Sequence, residues 1–461
     1  MASDLTTIRE VADVFDGPHA TPTKTEEGPY FLSISSLCGG KFDLTQSAHL
    51  SEAEFTKWTR RVTPTKGDVL FSYETRLGEA AMMPPNVRAC LGRRMGLLRP
   101  KLGRVIPEYL LYAYLAPAFQ EEIRRRTIPG STVPRIALKE LPDFPIRIPV
   151  ALEEQRQVVR VLGTLDDKIE LNRRMNQTLE AIAQAIFKSW FVDFDPVKAK
   201  AAAAAAGKSA TEIERAAMAA ISGKPETELD KLSEAQCQSL AETAALFPAA
   251  FIDSELGEIP EGWEMSTIGA ETETVGGATP STKNPKFWEG GEHHWVTPKD
   301  FSSLQNKVLL SSSRRITDEG LERISSGTLP VETVLMSSRA PVGYLAITKI
   351  ETAVNQGFIA MKCNGRLPPE YVLLWADSLM AQIKQAASGS TFAEISKKTF
   401  RPFRIIVPIS AVLDTFAAHV STFYERIAAN SRESETLAQL RDTLLPRLLS
   451  GEIELRDPGY E

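Results

Sequence analysis

The chain has 461 residues, 43% of them hydrophobic and 24% charged, the balance of a soluble protein able to bury several cores. Its formal net charge of −6 excludes a polycation that coats nucleic acid by bulk charge, though a local basic cluster can still form a nucleic-acid face. Cys38, Cys90, Cys237 and Cys363 form no CxxC pair, and neither an apolar leader nor a long apolar run is present, so a cytoplasmic protein with no membrane contact, no disulfide framework and no metal site is expected.

Residues 1–150 alternate short β-rich runs with turn signals, such as Gly67-Asp68 before Val69-Leu70-Phe71, and carry one helical stretch from Glu108 to Arg126. Positive charge is concentrated here: ten Lys and Arg fall between Arg60 and Arg104 against three acidic residues, followed by Arg124-Arg125-Arg126, Arg135 and Lys139. Residues 151–195 read as a central helix. From Leu152 to Phe187 there is no proline, and a stripe runs through Val158, Leu162, Leu165, Ile169, Asn172, Asn176, Leu179, Ala183 and Ile186. That is the 3.5-residue spacing of a coiled-coil seam. At 1.5 Å per residue such a helix is about 54 Å long, enough to separate two domains.

Residues 196–255 open on the alanine run Ala201–Ala206 and contain two capping-box patterns, Ser209 with Glu212 and Ser233 with Gln236. They are expected to be an inserted linker with short solvent-exposed helices. Residues 256–410 return to β-rich runs with a second helical stretch, Glu370 to Ala387, and offer Lys283, Lys286, Arg314, Arg315, Arg339, Lys384, Lys397 and Lys398 as cations. Residues 411–450 form a second helix with the stripe Phe416, Val420, Phe423, Ile427, Asn430, Ser434, Leu437, Arg441 and Leu444; residues 451–461 are a tail.

The chain is written twice. Ala20-Thr21-Pro22 recurs as Ala278-Thr279-Pro280, Val69-Leu70 with Ser72 and Gly78 as Val334-Leu335 with Ser337 and Gly343, and Pro107-Glu108-Tyr109 as Pro369-Glu370-Tyr371. Gly130-Ser131-Thr132 returns as Gly389-Ser390-Thr391, and the polar step Asn172 as Asn430. These ordered anchors predict two pseudo-symmetric α/β (α+β) domains, separated by an antiparallel coiled coil of two long helices. Antiparallel packing follows from the approximate twofold symmetry, and the polar step is suited to fixing register.

Motifs for catalysis fail on inspection. Gly207-Lys208-Ser209 ends like a phosphate loop, but Ala202 stands where its first glycine belongs. Asp143, Asp166 and Lys168 have loose nuclease spacing, yet the last two lie in the long helix, where a solvated face is expected. His293-His294 reads as a surface turn, and Asn284-Pro285-Lys286-Phe287 carries lysine where an amino-methyltransferase motif needs proline. Binding and scaffolding remain.

The order of units resembles the DNA-specificity subunits of Type I restriction-modification systems. The likeness is carried by GGATPSTKNPKFWEGGEHHWVTPKDF, VLMSSRAPVGYLAI, AVNQGFIAMKC and LRDTLLPRLLSGEIEL, with FKSWFVDFDPV and LGEIPEGWEMSTIG between the halves. The resemblance implies two target-recognition domains, each reading half of a bipartite, asymmetric double-stranded DNA target. It also implies docking of two methyltransferase subunits and of restriction/translocase subunits. S-adenosylmethionine, ATP and Mg would belong to those partners and none to this chain. DNA-contact candidates are Ser72, Tyr73, Arg76, Arg93, Arg94, Ser131, Thr132 and Arg135 in the first domain, and Ser337, Ser338, Arg339, Ser390, Thr391 and Lys397 in the second. The alternative reading is a non-catalytic adaptor that displays two protein-binding lobes without sequence-selective DNA binding.

Overall fold

The computed structural model describes residues 4–128, 133–255, 257–389, 393–453 and 455. It divides into two compact units, Met1–Ile169 with Glu435–Glu461, and Glu170–Ser434. Both mix helix and sheet, and both long helices are present, Leu152–Phe187 and Ser410–Leu449.

Unit 1 is centred on the apolar run Val69–Ser72, buried along its whole length in a four-stranded antiparallel sheet with Ala12–Asp16, Met95–Pro100 and Ala80–Met82. Alternation along the run divides its residues between two cores. Val69 and Phe71 join Tyr109, Tyr114 and Phe144, whereas Leu70 joins Leu32, Leu37 and Leu97. Unit 2 repeats this plan. Val334–Ser337 lies within a five-stranded sheet; Val334 and Met336 face Tyr371 and Trp375, and Leu335 faces Phe301, Ala346 and Phe358. Each unit also holds a small three-stranded sheet with one parallel pair, Thr25–Phe31 beside Ala89–Cys90, and His293–Val296 beside Thr352–Val354. The expected helical stretches each break in two. Pro117 starts a new helix after Pro107–Leu115, and Leu379 separates Pro369–Ser378 from Met380–Ala386.

Within unit 1, Val158 and Leu162 of the first long helix share a core with Leu445, Leu448 and Leu449 of the second. Asp166 is not on a solvated face, contrary to the sequence expectation. It accepts hydrogen bonds from the Tyr112 hydroxyl at 2.6 Å and Arg441 Nη1 at 2.8 Å.

Within unit 2 the helices meet again, through Ala183 and Phe187 against Phe416, Val420, Tyr424 and Ile427. The asparagines meet between them. Asn172 Nδ2 donates to the Asn430 carbonyl at 3.3 Å and Glu433 at 2.8 Å, Asn176 Nδ2 to Ser431 Oγ at 3.1 Å, and Asn430 Nδ2 to Asn176 Oδ1 at 2.9 Å. Residue numbers rise on one helix as they fall on the other, so the helices run antiparallel in this unit. The remaining stripe residues Leu165, Ile169, Leu179, Ile186, Phe423, Leu437 and Leu444 are half-buried, and none is exposed.

The segment expected to be a linker is instead folded into unit 2. Helices Ala210–Ser222 and Glu234–Ala245 enclose a small core of Ala217, Met218, Leu229 and Ala244, helix Asp195–Ala205 packs against Ala210–Ser222, and both capping boxes form. Val197 and Phe247 join the main core of the unit. Lys200, only 4% exposed, is satisfied by Glu214 at 2.9 Å and the Phe247 carbonyl at 2.8 Å. The alanine run hid this docking, because small residues carry no periodic apolar signal while allowing close helix approach.

Glu370 opens its helix at 4% exposure, and burial, with Glu332 and Glu425 nearby, raises its carboxyl above the ordinary range. A raised folded pKa means that ionisation opposes folding, so its contribution becomes less favourable as pH rises through that value. Glu370→Gln is therefore expected to raise the melting temperature at neutral pH, with the gain vanishing on acidification. A gain that grows at low pH would contradict this assignment.

Candidate nucleic-acid interface

At the end of the central sheet of unit 1, the hairpin after Val69–Ser72 is held by a defined set of backbone bonds. Tyr73 N–H donates to the Arg94 carbonyl at 3.2 Å, Ile136 N–H to the Tyr73 carbonyl at 3.1 Å, and Glu74 bridges to Arg135. Unit 2 repeats the set. Ser338 N–H donates to the Gly357 carbonyl at 2.8 Å, Ile395 N–H to the Ser338 carbonyl at 3.0 Å, and Arg339 bridges to Glu394. Thr75 and Ala340, at equivalent places in the two hairpins, both have left-handed backbone, φ 72° and 57°. A non-glycine residue there costs on the order of 1–2 kcal/mol and persists only where neighbouring bonds hold it.

The two cradles share a backbone and differ in charge. In unit 1 Glu74 faces Arg135, and Arg94 lies beside it with Nε 3.3 Å from Glu74. In unit 2 the corresponding positions are reversed: Arg339 faces Glu394, their charged groups 3.8 Å apart, and glycine replaces Arg94 as Gly357. Each cradle opens on a cleft. The one in unit 1, about 340 Å³, is lined by Asp16, His19, Tyr73, Arg93, Arg94 and Arg135 among others. The one in unit 2, about 420 Å³, is lined by Thr297, Lys299, Arg339, Tyr344, Asn355 and Gly357 among others. In unit 1, burial with Asp16 alongside pushes the Tyr73 phenol well above its ordinary range, so it stays protonated.

The structure separates the candidates from the sequence. Ser72 and Ser337 are fully buried, their hydroxyls donating at 2.7 Å to the Glu74 and Pro341 carbonyls, so they shape the turns from behind and present nothing to a ligand. Ser338 at 3% exposure and Tyr73 at 8% are nearly as enclosed. Arg76 is tied to the Ile34 carbonyl and Glu79, each at 3.2 Å, which makes it a strut between loops. Arg93 and Arg135 are exposed at the cleft, and among the described residues no acceptor engages either guanidinium. Arg339 lines the second cleft, and Lys397 is exposed beside Gly276. Ser131, Thr132, Ser390 and Thr391 lie outside the described residues. Half of the basic stretch is self-neutralised, with Arg88 forked onto Glu52 at 2.8 Å and Arg99 onto Asp68 at 2.7 Å. Sequence reasoning missed Asp16, His19, Lys299 and Asn355, which reach the clefts from separate segments, Asp16 at the end of the strand Ala12–Asp16 and Lys299 in the short helix Pro298–Phe301. It also missed the Glu74/Arg339 exchange, which the 265-residue offset of Ser72 and Ser337 would have exposed.

A second feature of unit 2 adjoins its cleft. His293-His294 is on the strand His293–Val296, not in a turn. His293 pairs with Asp318 at 2.7 Å, and His294 contacts Ser312 at 2.9 Å; burial and Arg315 hold the His294 imidazole below its ordinary range. Opposite Trp295 on the neighbouring strand sits Arg314, its guanidinium 3.7 Å from the Trp288 ring centre. Gly277 allows the preceding loop to reach this end of the sheet: a side-chain carbon there would meet the Val354 carbonyl at 1.7 Å.

Among the described residues there is no cluster of possible metal ligands, and no helix is long and apolar enough to cross a membrane. The family model described as Type I restriction modification DNA specificity domain matches twice, at residues 7–181 and 260–439. The HindI specificity subunit of Haemophilus influenzae is 33% identical over 409 residues, 84% of this chain and 87% of that one. The MjaIX specificity subunit of Methanocaldococcus jannaschii is 31% identical over 192 residues, 41% of this chain and 44% of that one. The crystal structure of a Type I restriction-modification S subunit from M. genitalium shares the fold, with TM-score 0.52 at 14% identity over 96% of this chain and 95% of that one. With the family matched over both halves, the chain belongs to the Type I restriction-modification DNA-specificity family, as a non-catalytic specificity subunit.

Proposed function

We propose that the two clefts read the two halves of a bipartite, asymmetric double-stranded DNA target. The observation that carries this reading is the duplicated cradle with exchanged charge: one backbone presents Glu74 and Arg135 in one copy, and Arg339 and Glu394 in the other. Two readers of one shape and different chemistry suit two half-sites of different sequence, because guanidinium and carboxylate select opposite base edges in the major groove. In unit 1, Arg93, Arg94 and Arg135 are the proposed contacts with Tyr73 behind them; in unit 2, Arg339 and Lys397, with Ser338 behind them. The Gly130-Ser131-Thr132 and Gly389-Ser390-Thr391 loops remain proposed contacts on the repeat alone.

The domain division proposed is 1–150 and 256–410 for the readers, with 151–195 and 411–450 as a coiled-coil ruler that sets the gap between half-sites. The same helices would seat two methyltransferase subunits and, in the complete assembly, restriction/translocase subunits. S-adenosylmethionine, ATP and Mg belong to those partners in this reading, and the cytoplasm is where they would meet. The test is methylome sequencing of cells with and without this chain. A bipartite methylated motif is expected only when the chain is present. Arg93→Ala is expected to relax one half of that motif and Arg339→Ala the other, each by roughly tenfold in discrimination. Loss of both halves together in either variant would refute the assignment of one cleft to one half.

A further inference from the structure

Arg314 is held differently from Arg315, Arg366 and Arg404 of unit 2. Arg315 donates to the Glu292 carbonyl at 3.0 Å, Arg366 is forked onto Glu271 and Glu264, and Arg404 is paired with Glu255. Arg314 lies over the Trp288 ring, 3.7 Å from its centre, and 5.3 Å from that of Trp295. It is exposed, and among the described residues no carboxylate or other acceptor engages its guanidinium. Its backbone is pinned as well. Ser312 Oγ donates to the Arg314 carbonyl at 2.6 Å, and Ser313 N–H donates to Asp300 Oδ1 at 2.9 Å. Asp300 could have drawn the guanidinium away, but it also accepts from Thr297 N–H at 2.7 Å. Burial opposes its ionisation, but the Ser313 and Thr297 hydrogen bonds together outweigh that and keep the carboxyl below its ordinary range.

The rings are themselves fixed. Trp288 and Trp295 meet edge to face at 4.9 Å, and their indole N–H groups donate to the Ser281 and Ala278 carbonyls at 3.0 and 3.1 Å. Arg314 is thus an exposed guanidinium lying over a fixed ring, with donors that no acceptor takes up among the described residues. Its strand partner Trp295 lies two residues before Thr297, which lines the unit 2 cleft, and Asn355 N–H ties that same sheet end to Val296 at 3.0 Å.

We propose that Arg314 is a specificity-determining residue of unit 2, whose fork takes the O6 and N7 acceptors of one guanine in the target half read there. The proposal rests on the DNA-reading function proposed for the clefts. A fixed pair of parallel donors matches guanine, which alone among the bases offers two adjacent acceptors in the major groove. Backbone phosphates are served as well by mobile cations, and exposed Lys283 and Lys286 lie on the Trp288 segment for that purpose. Stacking removes side-chain freedom before binding, which favours a partner of matching geometry.

The test uses the full chain co-expressed with the modification subunit of its own system. The wild-type methylome first defines both half-sites; a wild type that sets no motif would remove the DNA-reading function itself, independently of Arg314. Given a motif, Arg314→Lys keeps charge and loses the fork. One guanine position in a single half should then become degenerate, and the purified complex should lose roughly tenfold to hundredfold affinity for the target with unchanged affinity for unrelated duplex. A wild-type complex should show the same loss on duplex carrying 7-deazaguanine at that position alone. Trp288→Phe, which retains a ring under the guanidinium, should show the smaller loss of the same guanine. An unaltered motif in Arg314→Lys, or an equal loss on every sequence, overturns the proposal, the second by making Arg314 a phosphate contact.

Discussion

Replacing Phe416 with alanine is expected to destabilise unit 2 by about 3–5 kcal/mol, the range for emptying a buried phenyl site. Phe416 is fully buried in a cage of rings: Phe191 at 5.0 Å, Phe187 at 6.1 Å, and Trp190 and Tyr371 at 6.2 Å. These come from the end of the first long helix and the start of the helix Pro369–Ser378, so the ring joins elements far apart in sequence. Aromatic walls cannot collapse into the space left, because each is held by several others in tilted or edge contact, and the cavity term is therefore retained in full. The transition is readable by fluorescence, since five of the six tryptophans lie in unit 2. A melting shift on the order of 10 °C is expected. Phe416→Leu fills most of the volume and should lose less than half as much. A change below about 1 kcal/mol for the alanine variant would mean that the cage relaxes, and that the helix pair draws its stability elsewhere.

Asn430→Leu is expected to cost about 1–3 kcal/mol, although leucine is the more apolar side chain. Asn176 Oδ1 accepts from Asn430 Nδ2 at 2.9 Å, and both residues are nearly inaccessible to water, 5% and 2% exposed. Removing the donor strands a buried acceptor, and the loss of its desolvation compensation outweighs the added packing of the leucine methyls. Replacing Asn172, Asn176 and Asn430 together by leucine removes the stranded groups too. Stability should then return to at least the wild-type level, because an apolar seam needs no polar satisfaction. What should be lost is register: polar residues in a helix seam forbid slipped pairings that leucines tolerate. If the helices set the half-site gap, cells carrying the triple variant should show methylated motifs of more than one spacer length. Denaturant titration checks the energies, and methylome sequencing checks the spacing. A single variant as stable as wild type would show that the asparagines carry no pairing energy.

Much of this was legible in the chain itself, for identifiable reasons. A duplicated fold preserves backbone needs, and these surface as sequence anchors: Ser72 and Ser337 recur because both hydroxyls close the same turn, and Tyr109 and Tyr371 because both rings fill the same core. The stripe from Val158 to Ile186 could be read because a helix maps sequence spacing directly onto one face. Residues identified through such local periodicity were found buried or half-buried.

Contacts between distant segments escaped that logic. Asp166 has the sequence surroundings of a solvated helix residue, and only folding brings Tyr112 and Arg441 to it. The alanine-rich segment gave no periodic signal, yet it docks through single residues, Val197, Lys200 and Phe247. Likewise the basic stretch from Arg60 to Arg104 suggested a broad phosphate-binding face, but folding brings Glu52, Asp68, Glu74 and Glu79 to pair with four of its arginines.

The duplication, the two long helices and their polar step were determined by sequence alone, since each is a pattern along the chain. Which cations remain available to a ligand was decided only by tertiary structure. Charge availability depends on the nearest carboxylate in space, and for Arg93, Arg135 and Arg314 the fold, not the sequence neighbourhood, leaves none within pairing distance among the described residues.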